Sequence, residues 1–572
     1  MVNGLLVALP VVVFAWVWQQ YAVNVPKWDD HALRAYLYFS DQETTLSGKI
    51  YQLFRQHNEH RIVFDRIVAA LDYRLFGKLS YMHLMVIGNL SLVGLLAVFG
   101  AVLRQVGKSL LYLVPVSLLL FNLSHWENMF WGMAALQNFS VVLWVMLAIY
   151  LLSHTSQWGL ALASAVLATL TSGNGLLIWP LGFVLVLLRP VNVRSSAIGI
   201  NRLRVSPLIG WAVGAVIVIG LYFIGFKTPA GNPLLRGTAT DLLKGWLAFT
   251  GAAAEVLPVG SPLRASALLG GLMVGTTLGL VAWGVLTHWA TITRLLRRMR
   301  TSRRTGFGTA RTIPPTVLFF WGCAGFLLGT AAVVAWTRTG FGIDLLITSR
   351  YKIYSLTLLA LLYVYAVALL PSQISRWAGV AGGLGSLLIA WLSYNAFIDE
   401  TIWWRHYVLT NQFNATHGTN QPVSRVDAVT AKYTTLAPAF YDTDPSVLYG
   451  AGQLPVVPIT VTETPAGFTV RQATLLAQDK RDGRSFVVVR SPKRTYLFPT
   501  WQNQNLTMRT RFWPANSFTN GFTAVLAPVD FDAGTYQLFV LRVAANGQLT
   551  LHPTGQAIVS VGQAGAPLKK NW

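Results

Sequence analysis

Two adjacent carboxylates, in Trp28-Asp29-Asp30-His31, follow an apolar run from Gly4 to Ala22 by a few residues. Such a pair can take a proton as a general base, help hold a metal, or cap a helix, whose N-terminal dipole favours acid. Further on, Gln56-His57-Asn58-Glu59-His60-Arg61 gathers two imidazoles, an amide, a carboxylate and a guanidinium. His57 and His60, three apart, share a face if the segment is helical. The pattern is not H-E-x-x-H, and spacing fixes no third ligand, so no metal ligand is assigned. A polar cluster facing a sugar or a phosphate is one reading; a wet interfacial helix surface is the other.

Three more polar insertions interrupt apolar sequence. The first holds Asn122, Ser124, His125, Trp126, Glu127 and Asn128, and the second is Thr171-Ser172-Gly173-Asn174-Gly175. The third runs from Arg338 through Asp344 to Ser349, Arg350, Tyr351 and Lys352. Helix-breaking glycine with polar side chains at membrane depth is tolerated where it lines a cavity. Arg350 and Lys352 can neutralise a phosphate, or snorkel to the interface from the end of a span.

The elements that must position these residues are membrane helices. Of 572 residues 53% are hydrophobic and 11% charged, and the mean hydropathy is +0.49; a soluble domain carries about a quarter charged residues. Apolar runs fall near 4–22, 81–103, 109–123, 137–153, 157–171, 174–189, 207–226, 265–290, 313–336, 353–370 and 377–397, which predicts eleven spans. The first run has no basic flank and no A-x-A site, so it reads as an anchor and not a cleaved signal. The net charge of +23 is concentrated between spans, at Arg189, Arg194, Arg202 and Arg204 and at Arg294, Arg297, Arg298, Arg300, Arg303, Arg304 and Arg311. That is the bias of cytoplasmic loops, so the basicity is topological and no nucleic-acid partner is expected. Both clusters agree with a cytoplasmic N-terminus. Residues 242–259 are apolar enough for a twelfth span, but crossing there would put the second arginine cluster outside. We therefore expect 227–262 to lie at the interface or re-enter.

All four polar insertions then fall on the extracytoplasmic side. The first loop, 23–80, is long and charged, and Ile62, Val63, Ile67, Val68, Leu71 and Leu75 recur at helical spacing, predicting an amphipathic interfacial helix. After the last span the helix continues through Trp403 and Trp404 to about Tyr407. From about 455 the chain alternates apolar and polar residues in short runs punctuated by Asp482-Gly483, Ala533-Gly534 and Asn546-Gly547, the pattern of an antiparallel β-sandwich. Its aromatic residues Trp501, Phe512 and Trp513 can be core or can meet saccharide. The single cysteine, Cys323, excludes a disulfide framework. The division expected is a membrane domain over 1–400, a connection over 401–454 and a β-rich domain over 455–572.

This layout resembles the GT-C class of integral-membrane glycosyltransferases, with many spans, an acidic motif in a long first outer loop, and often a C-terminal outer domain. The stretches WDDH, QHNEHRIVFDRI, HWENMFWG, SGNGLLIWP and TSRYKIYS are similar to those of a bacterial branch of such proteins, over roughly residues 1–400. The resemblance implies transfer of a sugar from a polyprenyl-phosphate donor to a glycan or glycolipid acceptor, outside the inner membrane. Carried over residue by residue, the acidic motif falls on Asp29 and Asp30, and the donor-phosphate contacts on Arg350 or Lys352. No motif fixes the sugar, and the sequence does not assign a cofactor, a divalent cation such as Mg or Mn being the one considered. A transporter or flippase for a lipid-linked saccharide is the alternative, but its usual signs, mid-span charges and a repeated span pattern, are missing from the sequence. A non-catalytic scaffold of a polysaccharide machine is the third reading.

Overall fold

A computed structural model of the chain describes residues 2–189, 202–228, 237–300, 312–417, 420, 426–435, 440–450, 454–464, 467–477, 483–504 and 518–562. Arg194, Arg303, Arg304, Arg311, Phe512 and Trp513 lie outside them. Among the described residues the protein is mostly helical as far as Thr416, and the strands lie from Thr460 onward. Among the described residues, eight helices are long and apolar enough to cross a membrane: Val2–Tyr21, Tyr81–Gln105, Leu110–Met129, Gly132–His154, Pro262–Thr287, Pro315–Phe341, Ser349–Leu369 and Ser372–Thr416. Trp158–Thr171, Gly173–Leu188 and Pro207–Phe223 are apolar but shorter. Each apolar run in the sequence coincides with one of these helices.

Apolar residues form the buried core and also cover much of the surface. Leu90, Leu268, Leu272 and Val216 are exposed, while Asn122, Ser124, His125, Asn128, Thr169 and Thr357 are fully buried. Lipid can cover such an apolar surface, and the Asn122 and Asn128 amides and the Thr169 hydroxyl donate to carbonyls inside. The helix Val63–Phe76 repeats the pattern: Ile67, Leu71 and Leu75 are exposed at helical spacing, and Asp65, Arg66 and Asp72 are buried.

By contacts the chain forms two compact units. One comprises Met1–Val17, Glu43–Val68 and Leu84–Ser393; the other comprises Trp18–Gln42, Ala69–His83 and Tyr394–Trp572. The second differs from a division at residue 400, because long-range pairs tie two pieces of the first loop to the tail. Leu79 exchanges backbone hydrogen bonds with Tyr433 and Thr435, at 2.8 and 3.0 Å. Lys432 Nζ donates to Asp41 Oδ2 at 2.6 Å, and Arg34 donates to Thr430 Oγ1.

In the first unit, the segment expected to lie at the interface or re-enter contains the helix Ala239–Thr250. It opens on a capping box, with Asp241 N donating to Thr238 Oγ1 and Thr238 N donating to Asp241 Oδ2. Twelve residues span about 18 Å, short of the roughly 30 Å hydrocarbon core. Its C-terminal end packs on the helix Pro262–Thr287 at backbone contact: a Cβ on Gly270 would lie 1.8 Å from the Leu247 carbonyl oxygen.

Ser372–Thr416 is one helix of 45 residues, of which the part from Tyr394 belongs to the second unit, and the predicted emergence to about Tyr407 extends to Thr416. The strands are β1 (Thr460–Thr464), β2 (Gly467–Gln472), β3 (Ser485–Arg490), β4 (Thr495–Pro499), β5 (Trp501–Gln504), β6 (Phe518–Leu526), β7 (Gly534–Val543) and β8 (Leu549–Ser560). They form two four-stranded antiparallel sheets, ordered β1-β2-β6-β5 and β4-β3-β7-β8. Val470 and Phe522 of the first sheet share one hydrophobic cluster with Val487, Phe498 and Val540 of the second. The other face of the second sheet, with Val488 and Leu541, packs on Leu409 and Phe413 of the long helix. β3 is therefore buried on both faces, and its sequence, SFVVVR, is a run and not an alternation.

Candidate functional site

The first unit carries the denser polar cluster, and its foundation is a tight turn. His57 and His60 exchange backbone hydrogen bonds of 2.9 Å, and Asn58 takes a φ of 48°, a conformation asparagine adopts readily. The histidines thus sit on a turn and do not share a helix face. Arg61 anchors the turn: Nε donates to the Tyr222 carbonyl at 2.5 Å, and the other guanidinium nitrogens donate to the carbonyls of Phe54 and Ile224. A helix end leaves its last carbonyls without partners, and the guanidinium supplies them. Arg61 is a clamp for the turn.

The turn presents Glu59 to Arg338, at the end of the helix Pro315–Arg338, and the two form an ion pair. His60 Nδ1 accepts a 3.2 Å hydrogen bond from Gly173 N, so a neutral ring carries its proton on Nε2, 4.0 Å from Glu59 Oε1. The next residue, Asn174, donates from Nδ2 to the Tyr354 hydroxyl at 2.9 Å and to Thr330 Oγ1 at 3.4 Å.

Around Glu127 the Asn122–Asn128 insertion meets the one that ends at Lys352. Glu127 N donates to Ser349 Oγ at 3.1 Å, and Arg350 N donates to Glu127 Oε2 at 3.3 Å. Asn128 Nδ2 donates to the Arg350 carbonyl at 3.0 Å. These bonds fix the backbone at Arg350 but leave its side chain lightly held. Its Nε is 3.6 Å from Glu127 Oε2, and the guanidinium carbon lies 5.7 Å from the Trp131 ring centre. Among the described residues the guanidinium donates no hydrogen bond, and about a third of the side chain is exposed. Lys352 differs: its side chain is 1% exposed and ion-paired with Glu255. His125 is fully buried, edge-on to Phe139 at 5.1 Å, as a core histidine.

Asp29 and Asp30 belong to the second unit. Trp28 turns the chain with a φ of 40°, and Asp30 opens the helix Asp30–Gln42, its Oδ2 accepting a 3.0 Å bond from Lys27 N. Asp30 is fully buried, whereas Asp29 is half-buried. Lys27 lies with Nζ 3.6 Å from the Tyr407 ring centre and 4.1 Å from that of Trp28. Burial, and then the charges of Arg34 and Lys27, push the His31 imidazole down to about 4.

Contacts within the first unit thus join Glu59 and His60 to the Gly173 turn and Arg338, and Glu127 to Arg350. Sequence reasoning passed over Glu255 and Tyr354. Glu255 carries a signal, since it is the one carboxylate within the apolar stretch 242–259. Among the described residues no three His, Cys, Asp or Glu side chains are grouped to hold a metal, and Glu59, Glu127 and Glu255 each face a different cation. The arrangement does not fit a divalent cation. No protein family, curated protein or solved structure matches the chain.

Proposed function

We propose that the protein is a GT-C-like membrane glycosyltransferase that moves a sugar from a polyprenyl-phosphate carrier to a glycan or glycolipid acceptor. In this reading the eight long and three shorter apolar helices make eleven crossings of a bacterial inner membrane, with the N-terminus cytoplasmic. The two sheets, sharing one hydrophobic cluster, form a sandwich on the outer side. The observation that carries the chemistry is Arg350, whose backbone is fixed and whose guanidinium donors are not taken up by the described protein.

A polyprenyl tail stays in lipid, so its phosphate sits at the bilayer boundary. Arg350, just before the helix Lys352–Leu369, is a permanent cation with a fork of donors suited to phosphate oxygens. The acceptor hydroxyl oxygen bonds to the anomeric carbon as the carbon–oxygen bond to phosphate breaks. The phosphate leaves with the electron pair, stabilised by the guanidinium. The hydroxyl proton passes to a carboxylate, assigned by the resemblance to Asp29 or Asp30, and direct displacement inverts the anomeric centre.

Nanodisc-reconstituted protein given a labelled polyprenyl-phosphate hexose and envelope glycan tests this. Release of polyprenyl phosphate with label on the acceptor is the expected result. Movement of intact donor between leaflets without release would instead identify a flippase.

A further inference from the structure

The second unit holds a cleft of about 420 Å³ whose walls come from the long helix and from β5. Asp399 and Glu400 lie one helical turn from Trp403, and Trp501, Gln502 and Asn503 form the facing strand. Thr523 of β6 sits opposite Trp501 in register and completes the wall. This volume falls within the usual range for small-molecule sites.

The aromatic geometry is specific. Trp501 stacks on Trp403 with ring centres 4.8 Å apart and planes 6° from parallel. Trp403 in turn stacks on Tyr407 at 4.9 Å and 11°. Three rings in a pile fix the Trp501 indole before any ligand arrives, so little ordering entropy is left to lose on binding. Trp501 nevertheless keeps 37% of its surface exposed, against the trend for a large aromatic ring in a β domain. Gln502 is held by Nε2 bonds to the carbonyls of Thr519 and Gly521, at 2.9 and 2.8 Å, so its amide orientation is set. Its Oε1 is buried and accepts no hydrogen bond among the described residues. It lies at a recess of about 20 Å³ that Asp399 and Trp501 also line.

A flat, immobilised indole beside carboxylate and amide groups matches the two surfaces of a pyranose. The C–H face of the ring is apolar, and its rim is a set of hydroxyl donors that carboxylates and amide oxygens accept. Two carboxylates disfavour an anionic ligand, which separates this cleft from the phosphate chemistry of Arg350. We infer that this cleft is a binding subsite for a neutral saccharide, with one pyranose ring on Trp501 and its hydroxyls on Asp399 and Glu400. The inference deepens the proposed function, assigning the sugar-acceptor side of the reaction to these residues, and it rests on that reading.

The test is saturation-transfer NMR on the full chain in nanodiscs, with cellobiose, maltose and mannobiose as probes and glucose 1-phosphate as the anionic comparison. At least one neutral disaccharide should bind. Trp501→Ala should weaken it by about tenfold, the upper end of what one aromatic contact contributes. Trp501→Phe, which keeps a stacking face, should retain most of the binding, and Glu400→Gln should weaken it without disturbing the stack. Trp377→Ala, on the apolar part of the same helix and 71% exposed, should leave binding unchanged. No binding by any neutral probe, tighter binding of glucose 1-phosphate, or binding untouched by both Trp501→Ala and Glu400→Gln would overturn the inference. Because the readout is binding, saccharide binding without transfer removes the catalytic reading alone, and transfer without binding here removes this subsite alone.

Discussion

Arg350 Nε lies 3.6 Å from Glu127 Oε2, too far for a hydrogen bond but close enough for the carboxylate to hold the guanidinium in place. Glu127 is then a competitor as well as a partner, because an incoming phosphate must share the same cation. Arg350→Ala should weaken binding of polyprenyl-phosphate sugar by about 10- to 100-fold, the range for a charge-assisted hydrogen bond. Arg350→Lys should restore only part of it, since a point charge lacks the fork. Glu127→Gln should tighten donor binding. Equal affinity in all three variants, measured by titration in nanodiscs, would move the phosphate elsewhere.

Asp29 and Asp30 are adjacent in sequence and unequal in structure. Asp30 is enclosed and accepts the Lys27 amide at the first turn of its helix, so it orders the motif; Asp29 is the more accessible carboxylate. Asp29→Asn should keep expression and donor binding and lower turnover by about two to four orders of magnitude. Asp30→Ala should cost about 1 kcal/mol of stability through the lost hydrogen bond from Lys27 N. Thermal midpoints and transfer rates on the same preparations separate the two roles.

The helix positions were legible because lipid imposes one rule everywhere: a long apolar run must satisfy its own backbone, and a helix does so. The strand content of the tail was legible from its turn residues. The partners were not. Lys27 meets Tyr407, Arg34 meets Thr430, and Arg61 meets the carbonyls of Tyr222 and Ile224, all across sequence separations that local spacing does not encode. Spacing put His57 and His60 on a shared face only if the segment were helical, and the left-handed φ at Asn58 makes it a turn. Glu255 stands out as a lone carboxylate in an apolar stretch, but nothing local points to Lys352 as its partner.

The second sheet gives a direct test of burial on both faces. Val487 points into the cluster shared by the two sheets, and Val488 into the one covered by Leu409 and Phe413. A strand with one wet face would tolerate one of the two truncations. Here Val487→Ala and Val488→Ala should each destabilise the tail by about 1–3 kcal/mol. The rate of limited proteolysis of the tail in detergent reads both.

Gly270 and Gly271 are neighbours on the helix Pro262–Thr287 with opposite surroundings. A Cβ on Gly270 would meet the Leu247 carbonyl oxygen at 1.8 Å, while nothing lies within 4 Å of one on Gly271. Gly270→Ala should force the two helices apart and cost about 1–3 kcal/mol or more. Gly271→Ala should be neutral or slightly stabilising, because alanine is the better helix former. Matched thermal midpoints for the two variants would contradict the close packing.

His31 supplies a pH dependence whose direction follows from its surroundings. Burial, followed by the positive charges of Arg34 and Lys27, lowers its imidazole from the ordinary 6.5 to about 4. Above pH 6.5 the ring is neutral in both folded and unfolded chains, and it contributes nothing to the slope. Between 6.5 and 4 the unfolded chain binds a proton that the folded chain refuses, so stability is lost as the pH falls through this window. Below about 4 both states are protonated and the loss is complete. The wild-type thermal midpoint, measured in detergent from pH 8 to pH 4, should therefore fall more steeply below pH 6.5 than that of His31→Gln, which keeps a polar side chain but cannot titrate. The two curves should run parallel above pH 7. Parallel curves across the acid window as well would mean that the imidazole is protonated in the folded protein.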